Sequence, residues 1–188
     1  VTVVSTIAPA DGIVGYAVTR AHHADVGGGI PGSMPAGATE IYQEGLRIPG
    51  VGVVDGGEID EAVLSLVLAN VRNPDERRAD LRAQLAANDR GGRRIGELID
   101  EYGRDRLTDA FDAVLDYSRR RIEAEIADVP DGRYEATDVL EGDGVTDADI
   151  PITATVTVDG SAVTVDFAGT TDQVAGNMNA PLSVATSA

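Results

Sequence analysis

The hydrophobic pattern of this chain changes period twice, and that limits the folds open to it. From Ile59 to Ile126 apolar residues recur at helical spacing, while β-branched, alternating stretches flank them on both sides. Ile59, Val63, Leu66, Val67 and Val71 make one helical stripe. Asn73 reads as the N-cap of a second helix, with Pro74 in its first position and Glu76 at the capping-box position. That helix would turn Leu81, Leu85, Ile95, Leu98 and Ile99 inward, and Gly91-Gly92 predicts a kink or break within it. A third helix, residues 104–128, carries Leu107, Phe111, Val114, Leu115, Ile122 and Ile126 on what should be one buried face. Pro130-Asp131-Gly132 stops it.

The flanks read as strands. Residues 1–8 are apolar and β-branched, Pro9-Ala10-Asp11-Gly12 is a turn signal, and residues 13–21 return as the second arm of a hairpin. Residues 26–39 are a Gly- and Pro-rich loop, residues 40–48 a short mixed segment, and Val51-Gly52-Val53-Val54 a short strand closed by Asp55-Gly56-Gly57. Beyond the helices, strands are expected at residues 133–140, 150–158 and 163–167. An acidic turn (residues 141–149) and a hairpin turn at Asp159-Gly160 join them, and a further strand should begin at residues 182–185. The fold class is α+β: an N-terminal β-hairpin and Gly-rich loop (residues 1–57), a helical middle (58–129) and C-terminal antiparallel strands (130–188).

Charge narrows the partners. The 188 residues carry a formal net charge of -17, a field that repels nucleic acid and anionic membranes. All 15 basic residues are arginine, which together with the acidity fits a halophile, where salt screens self-repulsion. A GC-rich genome would favour the same residues. There is no cysteine, hence no disulfide or thiol chemistry. No signal peptide and no apolar run long enough to span a bilayer is present, so the cytoplasm is the default location. The chain starts without Met and stops without a terminating signal, and is expected to be a piece of a longer protein.

Chemistry concentrates at one place. Ala21-His22-His23-Ala24-Asp25-Val26-Gly27-Gly28-Gly29 holds both histidines and a carboxylate, and runs into the glycine loop. Imidazole and carboxylate are common ligands of a divalent metal, and glycine lets a backbone come close to a ligand. Adjacent histidines on an extended backbone point to opposite faces, so a regular strand does not give both to one ion. A second dense stretch, residues 39–49, contains Glu40, Tyr42, Glu44 and Arg47, of which Arg47 could clamp a carboxylate in bidentate fashion. On composition alone a solvated segment with an ion pair is a better reading of that stretch than a site. The arginines of the helices read as solvated faces balanced by Asp and Glu, and no phosphate-binding or nucleophile-elbow motif is present.

These blocks resemble a family. Ala21 to Gly28, Pro31-Gly32-Ser33-Met34-Pro35, Thr39 to Pro49, Leu68-Ala69-Asn70-Val71-Arg72, Asp80-Leu81-Arg82-Ala83-Gln84, Asp131-Gly132-Arg133-Tyr134, Val165-Asp166-Phe167-Ala168-Gly169 and Asn179-Ala180-Pro181-Leu182 resemble the hydantoinase B family of N-methylhydantoinase and 5-oxoprolinase. The resemblance implies the hydrolytic component of an enzyme that opens a cyclic amide at the expense of ATP. An A-type partner would bind ATP and phosphorylate the ring carbonyl, and the B component would complete hydrolysis within a hetero-oligomer. In the related ketone carboxylases the B-like component holds a metal. Its ligands include a His-x-x-Asp motif just ahead of a strand like residues 1–8, and a histidine matching His22. The resemblance therefore implies His22 as ligand of a divalent metal, without its fellow ligands in this chain; the chemistry of water attack then assigns His23 or Asp25 to orient it or act as base. Glu40, Glu44 and Arg47 would be supporting or substrate-carboxylate contacts. A component of an acetone- or acetophenone-type carboxylase and a non-catalytic assembly module are the other two readings.

Overall fold

The computed structural model describes residues 1–9 and 12–187; Ala10 and Asp11 of the expected turn lie outside the described residues. The chain forms two compact units. One comprises Val1–Pro35 with Ile41–Leu107, the other Ala36–Glu40 with Thr108–Ala188. The secondary structure is α+β, as the change of period predicts.

In the first unit β1 (Thr2–Ile7) and β2 (Gly15–Arg20) form an antiparallel pair, in register from Thr2↔Arg20 to Ile7↔Gly15. A single helical turn, α1 (Ile41–Glu44), follows within the mixed segment. The expected strand at residues 51–54 shrinks to β3 (Val54–Asp55), which pairs with β4 (Glu58–Ile59) around Gly56-Gly57. Helix α2 (Glu61–Leu68) starts at Asp60, whose carboxylate accepts from the N–H groups of Ala62 at 2.9 Å and Val63 at 3.1 Å. Its buried residues are Leu64 and Leu68.

Helix α3 (Pro74–Tyr102) corrects three expectations. Pro74 opens it, but Asn73 takes a left-handed φ of 56° and makes no side-chain cap bond, so the capping box does not form. The helix runs 29 residues without a break at Gly91-Gly92. A Cβ on Gly91 would stand 3.9 Å from Ala17 Cβ, and one on Gly92 3.9 Å from Ile7 Cγ1. The hairpin thus packs on the helix at the point where the helix is thinnest. A Cβ at either position would meet these atoms at ordinary van der Waals distance, so the contact admits glycine without requiring it. The third correction is the buried face itself, which consists of Arg77, Gln84 and Asn88, with Leu81 and Leu85 only partly covered. Asn88 donates to Val3 O at 3.1 Å and to Ser5 Oγ at 3.1 Å, and Gln84 Nε2 donates to Val1 O at 3.1 Å and Thr19 O at 3.3 Å. Amide side chains therefore tie α3 to hairpin carbonyls that still have a lone pair to offer.

Helix α4 (Arg104–Ala127) forms where expected, yet it has no buried residue. Val114, Leu115 and Ile122 are 61%, 69% and 61% exposed, so the apolar stripe exists but nothing among the described residues covers it. Its arginines pair with acids along the helix, Arg119 with Asp116 and Glu123, and Arg121 with Glu125.

The second unit is built on the antiparallel sheet β5 (Gly132–Glu141), β6 (Asp149–Asp159) and β7 (Ala162–Asp166), with β6 in the centre. Ile150, Thr155 and Val158 of β6 are buried. The strand expected at residues 182–185 is instead helix α5 (Leu182–Ser187). Pro181 has no N–H for a ladder, and its carbonyl accepts from Val184 N at 2.9 Å and Ala185 N at 3.4 Å. These local bonds start a helical turn in place of a strand.

Candidate functional site

Strand β2 delivers the histidines. Ala21 and Val1 still exchange both backbone hydrogen bonds, at 2.7 and 3.0 Å, so the chain leaves β2 extended. Side chains then alternate: His22 and Ala24 are exposed, whereas His23 (6% exposed) and Asp25 (4%) are buried. The two imidazoles point to opposite sides, as extended backbone requires. His23 Nε2 lies 3.0 Å from Gln84 Oε1, inside the contact between α3 and the hairpin.

Asp25 is saturated by four N–H donors. Oδ1 accepts from Gly27 N at 2.9 Å and Arg72 N at 3.0 Å; Oδ2 accepts from Gly32 N at 3.0 Å and Arg72 NH1 at 3.0 Å. The backbone N–H of Arg72 above all, then those of Gly27 and Gly32 and the guanidinium, hold this carboxyl far below the usual carboxylate range against the opposing effect of burial. A proton could reach it only by displacing a donor. Asp25 therefore has the geometry of a tie that shapes the loop, not of a base. Arg72 completes the tie by donating to Ile30 O at 3.0 Å and Gly28 O at 3.2 Å.

The glycines serve this packing. Gly27 and Gly28 have φ of 90° and 84°. A Cβ on Gly27 would collide with Asn70 O, and one on Gly28 would stand 2.5 Å from Gln43 O and 2.8 Å from Glu44 C. What comes close to the loop is the chain's own backbone rather than open space for a substrate. Gly29 N donates to Gln43 O at 2.8 Å and Leu46 N to Val26 O at 2.8 Å. These bonds fix Glu44, half-buried, beside the loop. Arg47 donates to the Tyr42 hydroxyl at 3.2 Å and sits 5.3 Å above that ring's centroid, in the open. Of the residues expected at the site, His22, His23, Asp25, Glu44 and Arg47 share the first unit, and Glu40 belongs to the second.

The donors in this chain do not fit a metal ion by themselves. Among the described residues no group of three or more His, Asp or Glu side chains could hold one. Asp25 is consumed by N–H groups, which leaves the exposed His22.

Sequence reasoning missed three residues. Arg72 and Gln84 stand in motif blocks quoted for the resemblance, but their partners are 47 and 61 positions away and no local pattern reveals them. The third is Asp143, 2% exposed, in the second unit. It accepts from Val145 N at 2.9 Å, Thr146 N at 2.7 Å and Gly176 N at 2.9 Å. The N–H groups of Thr146, Gly176 and Val145 bring its pKa down to about 2. A groove of about 1010 Å³ in the first unit runs along β1, α2 and α3, and neither histidine nor Asp25 lines it.

The fold is similar to that of a lactam-opening enzyme. The crystal structure of ATP-dependent caprolactamase from Pseudomonas jessenii superposes with a TM-score of 0.77 and 34% identity, covering 87% of this chain and 28% of that one. In sequence the chain is 37% identical over 178 residues to the putative B component of a D-/L-hydantoinase of Pseudomonas sp. (strain NS671), covering 92% of this chain and 30% of that protein. It is 38% identical over 148 residues to the beta component of the caprolactamase of Pseudomonas jessenii, covering 79% and 26%. The chain thus spans less than a third of the length of these relatives. Residues 1–188 match the Hydantoinase B/oxoprolinase family, and the chain belongs to it.

Proposed function

We propose that these residues are part of the hydrolytic B component of an ATP-dependent cyclic-amide hydrolase, opening a hydantoin, 5-oxoproline or similar lactam ring in the cytoplasm with an A-type, ATP-binding partner. The observation that carries this reading is the family match over all 188 residues, with relatives named for hydantoin and lactam opening. The beta component of the caprolactamase is by its name one part of a larger enzyme, which supports a hetero-oligomer here.

The chemistry is coherent with the side chains. A lactam carbonyl is a poor electrophile, and ATP spent at the partner would make it a better one. Water must then attack, and an imidazole that takes its proton as the new C–O bond forms accelerates that step by about 10²–10⁴-fold. The tetrahedral adduct then breaks the ring C–N bond, the leaving nitrogen takes that proton, and a second water releases the phosphate from the acyl group. His23, held in place by Gln84, is the residue for this proton transfer. Asp25 and Arg72 would keep the glycine loop rigid beside it, and Glu44 and Arg47 would meet the polar groups of the substrate. Glu40 belongs to this set on motif density alone. His22 could serve as a metal ligand only with donors from outside these residues, so no step is routed through a metal.

The test uses the full polypeptide assembled with its A partner. His23→Gln and, separately, His22→Ala should each reduce ATP-coupled ring opening by at least about 100-fold. Wild-type turnover in either variant removes that histidine from the site. ADP release that requires a ketone and bicarbonate would replace the reading with a carboxylase.

A further inference from the structure

We propose that Gln84 fixes the proton of neutral His23 on Nε2, so that Nδ1 is the ring atom that keeps a lone pair. The amide alone decides this. Gln84 Nε2 lies 3.1 Å from Val1 O and 3.3 Å from Thr19 O, two backbone carbonyls that can only accept. The NH2 group must face them, because the reversed amide would set three oxygens against one another. The other end of the amide, Oε1, therefore faces His23 Nε2 at 3.0 Å, and an amide oxygen has no proton to give. Nε2 must donate. A neutral imidazole has one N–H, so Nδ1 is left as acceptor. Both side chains are 6% exposed, so water does not compete for the bond.

Gln84 thereby links three things. Its donors read the position of β1 and β2, its acceptor orients the imidazole, and its backbone belongs to α3. It is a positioning residue that acts through His23 and does not touch substrate. Asn88, one turn further along α3, makes the same kind of tie to Val3 O and Ser5 Oγ but meets no histidine. The two amides thus separate holding the hairpin from setting the tautomer. The use of Nδ1 in catalysis rests on the function proposed above; the tautomer does not.

The experiment is nitrogen NMR of the full polypeptide labelled with 15N-histidine, in buffer alkaline enough to keep imidazoles neutral. The His23 signals are those that vanish in His23→Gln. The expected result for the wild type is a protonated Nε2 and an unprotonated Nδ1. In Gln84→Leu the two nitrogen shifts should converge as tautomers mix, and kcat should fall on the order of 10–100-fold with KM little changed. Asn88→Leu should leave both pattern and kcat unchanged. A wild-type His23 protonated on Nδ1, or a pattern unaltered in Gln84→Leu, overturns the proposal whatever the activity. Full turnover in His23→Gln overturns the catalytic reading of His23 and leaves the tautomer result standing.

Discussion

Replacing Gly28 by Ala tests whether the glycine loop is a packing device. The substitution has two costs that the structure separates. At φ +84° a Cβ is strained, by roughly 1–2 kcal/mol. That Cβ would also stand 2.5 Å from Gln43 O, 2.8 Å from Glu44 C and 2.9 Å from Gly45 N. All three are backbone atoms, held by the bonds of Gly29 N to Gln43 O and of Leu46 N to Val26 O. They can yield only if the loop parts from the segment it packs on, an overpacking cost of about 1–3 kcal/mol. Gly57 supplies the control, with φ +88° and nothing within 4 Å of its Cβ. Gly57→Ala should therefore lose only the strain, and Gly28→Ala roughly 2–5 kcal/mol in all. With a urea m-value near 2 kcal/mol/M, the Gly28→Ala midpoint should lie about 0.5–1.5 M below that of Gly57→Ala. Circular dichroism in a urea titration reads this directly. Equal midpoints would refute the packing argument. If, in addition, KM for the ring rose in Gly28→Ala, the glycines would be there for substrate after all.

Acid should act through Asp25 and Asp143. Both have folded pKa values below the ordinary carboxylate value, so their stabilisation is complete above about pH 4 and is lost as pH falls, for Asp143 through about 2. Thermal unfolding should therefore show a steep fall in Tm below pH 4, and Asp143→Asn should flatten it; an identical slope in that variant would contradict the assignment. Salt is the other lever. With a net charge of -17 and no lysine, Tm should rise between dilute buffer and molar salt, and full stability in dilute buffer would count against a halophilic origin.

The elements legible in the sequence were those whose signal is local. The hairpin, α2, α4 and the three-stranded sheet follow from side-chain period, and the class α+β from the order of those periods. What could not be read was set by distant partners. Gly91-Gly92 looks like a helix break until Ala17 and Ile7 come to rest on it. Asp25 looks like a base until Arg72, 47 residues on, closes around it. Asn73 carries the right residue type for a cap but the wrong φ. Residues 182–185 are apolar enough for a strand, yet the carbonyl of Pro181 accepts from Val184 N and Ala185 N and a helical turn forms. Composition concentrates both imidazoles in one stretch, whereas the orientation of His23 depends on Gln84, which spacing does not reveal.

One property of the hairpin bears on how the site is completed. Odd-numbered residues of β1 and β2, Val3, Ser5, Ile7, Ala17 and Thr19, face α3, whereas Val4, Tyr16 and Val18 on the other face are 59%, 62% and 57% exposed. Thr2, Thr6 and Arg20 share that outer face, which is therefore an apolar strip set among polar residues. Val1 and Ala21 are a mutually bonded pair, so alternation directs the backbone groups of Thr2, Val4 and Thr6 away from β2, along the groove. By the same alternation His22 falls on the uncovered face with Val18 and Arg20, while His23 faces α3. An element that covers Val4, Tyr16 and Val18 would thus reach His22 and leave the His23–Gln84 bond undisturbed.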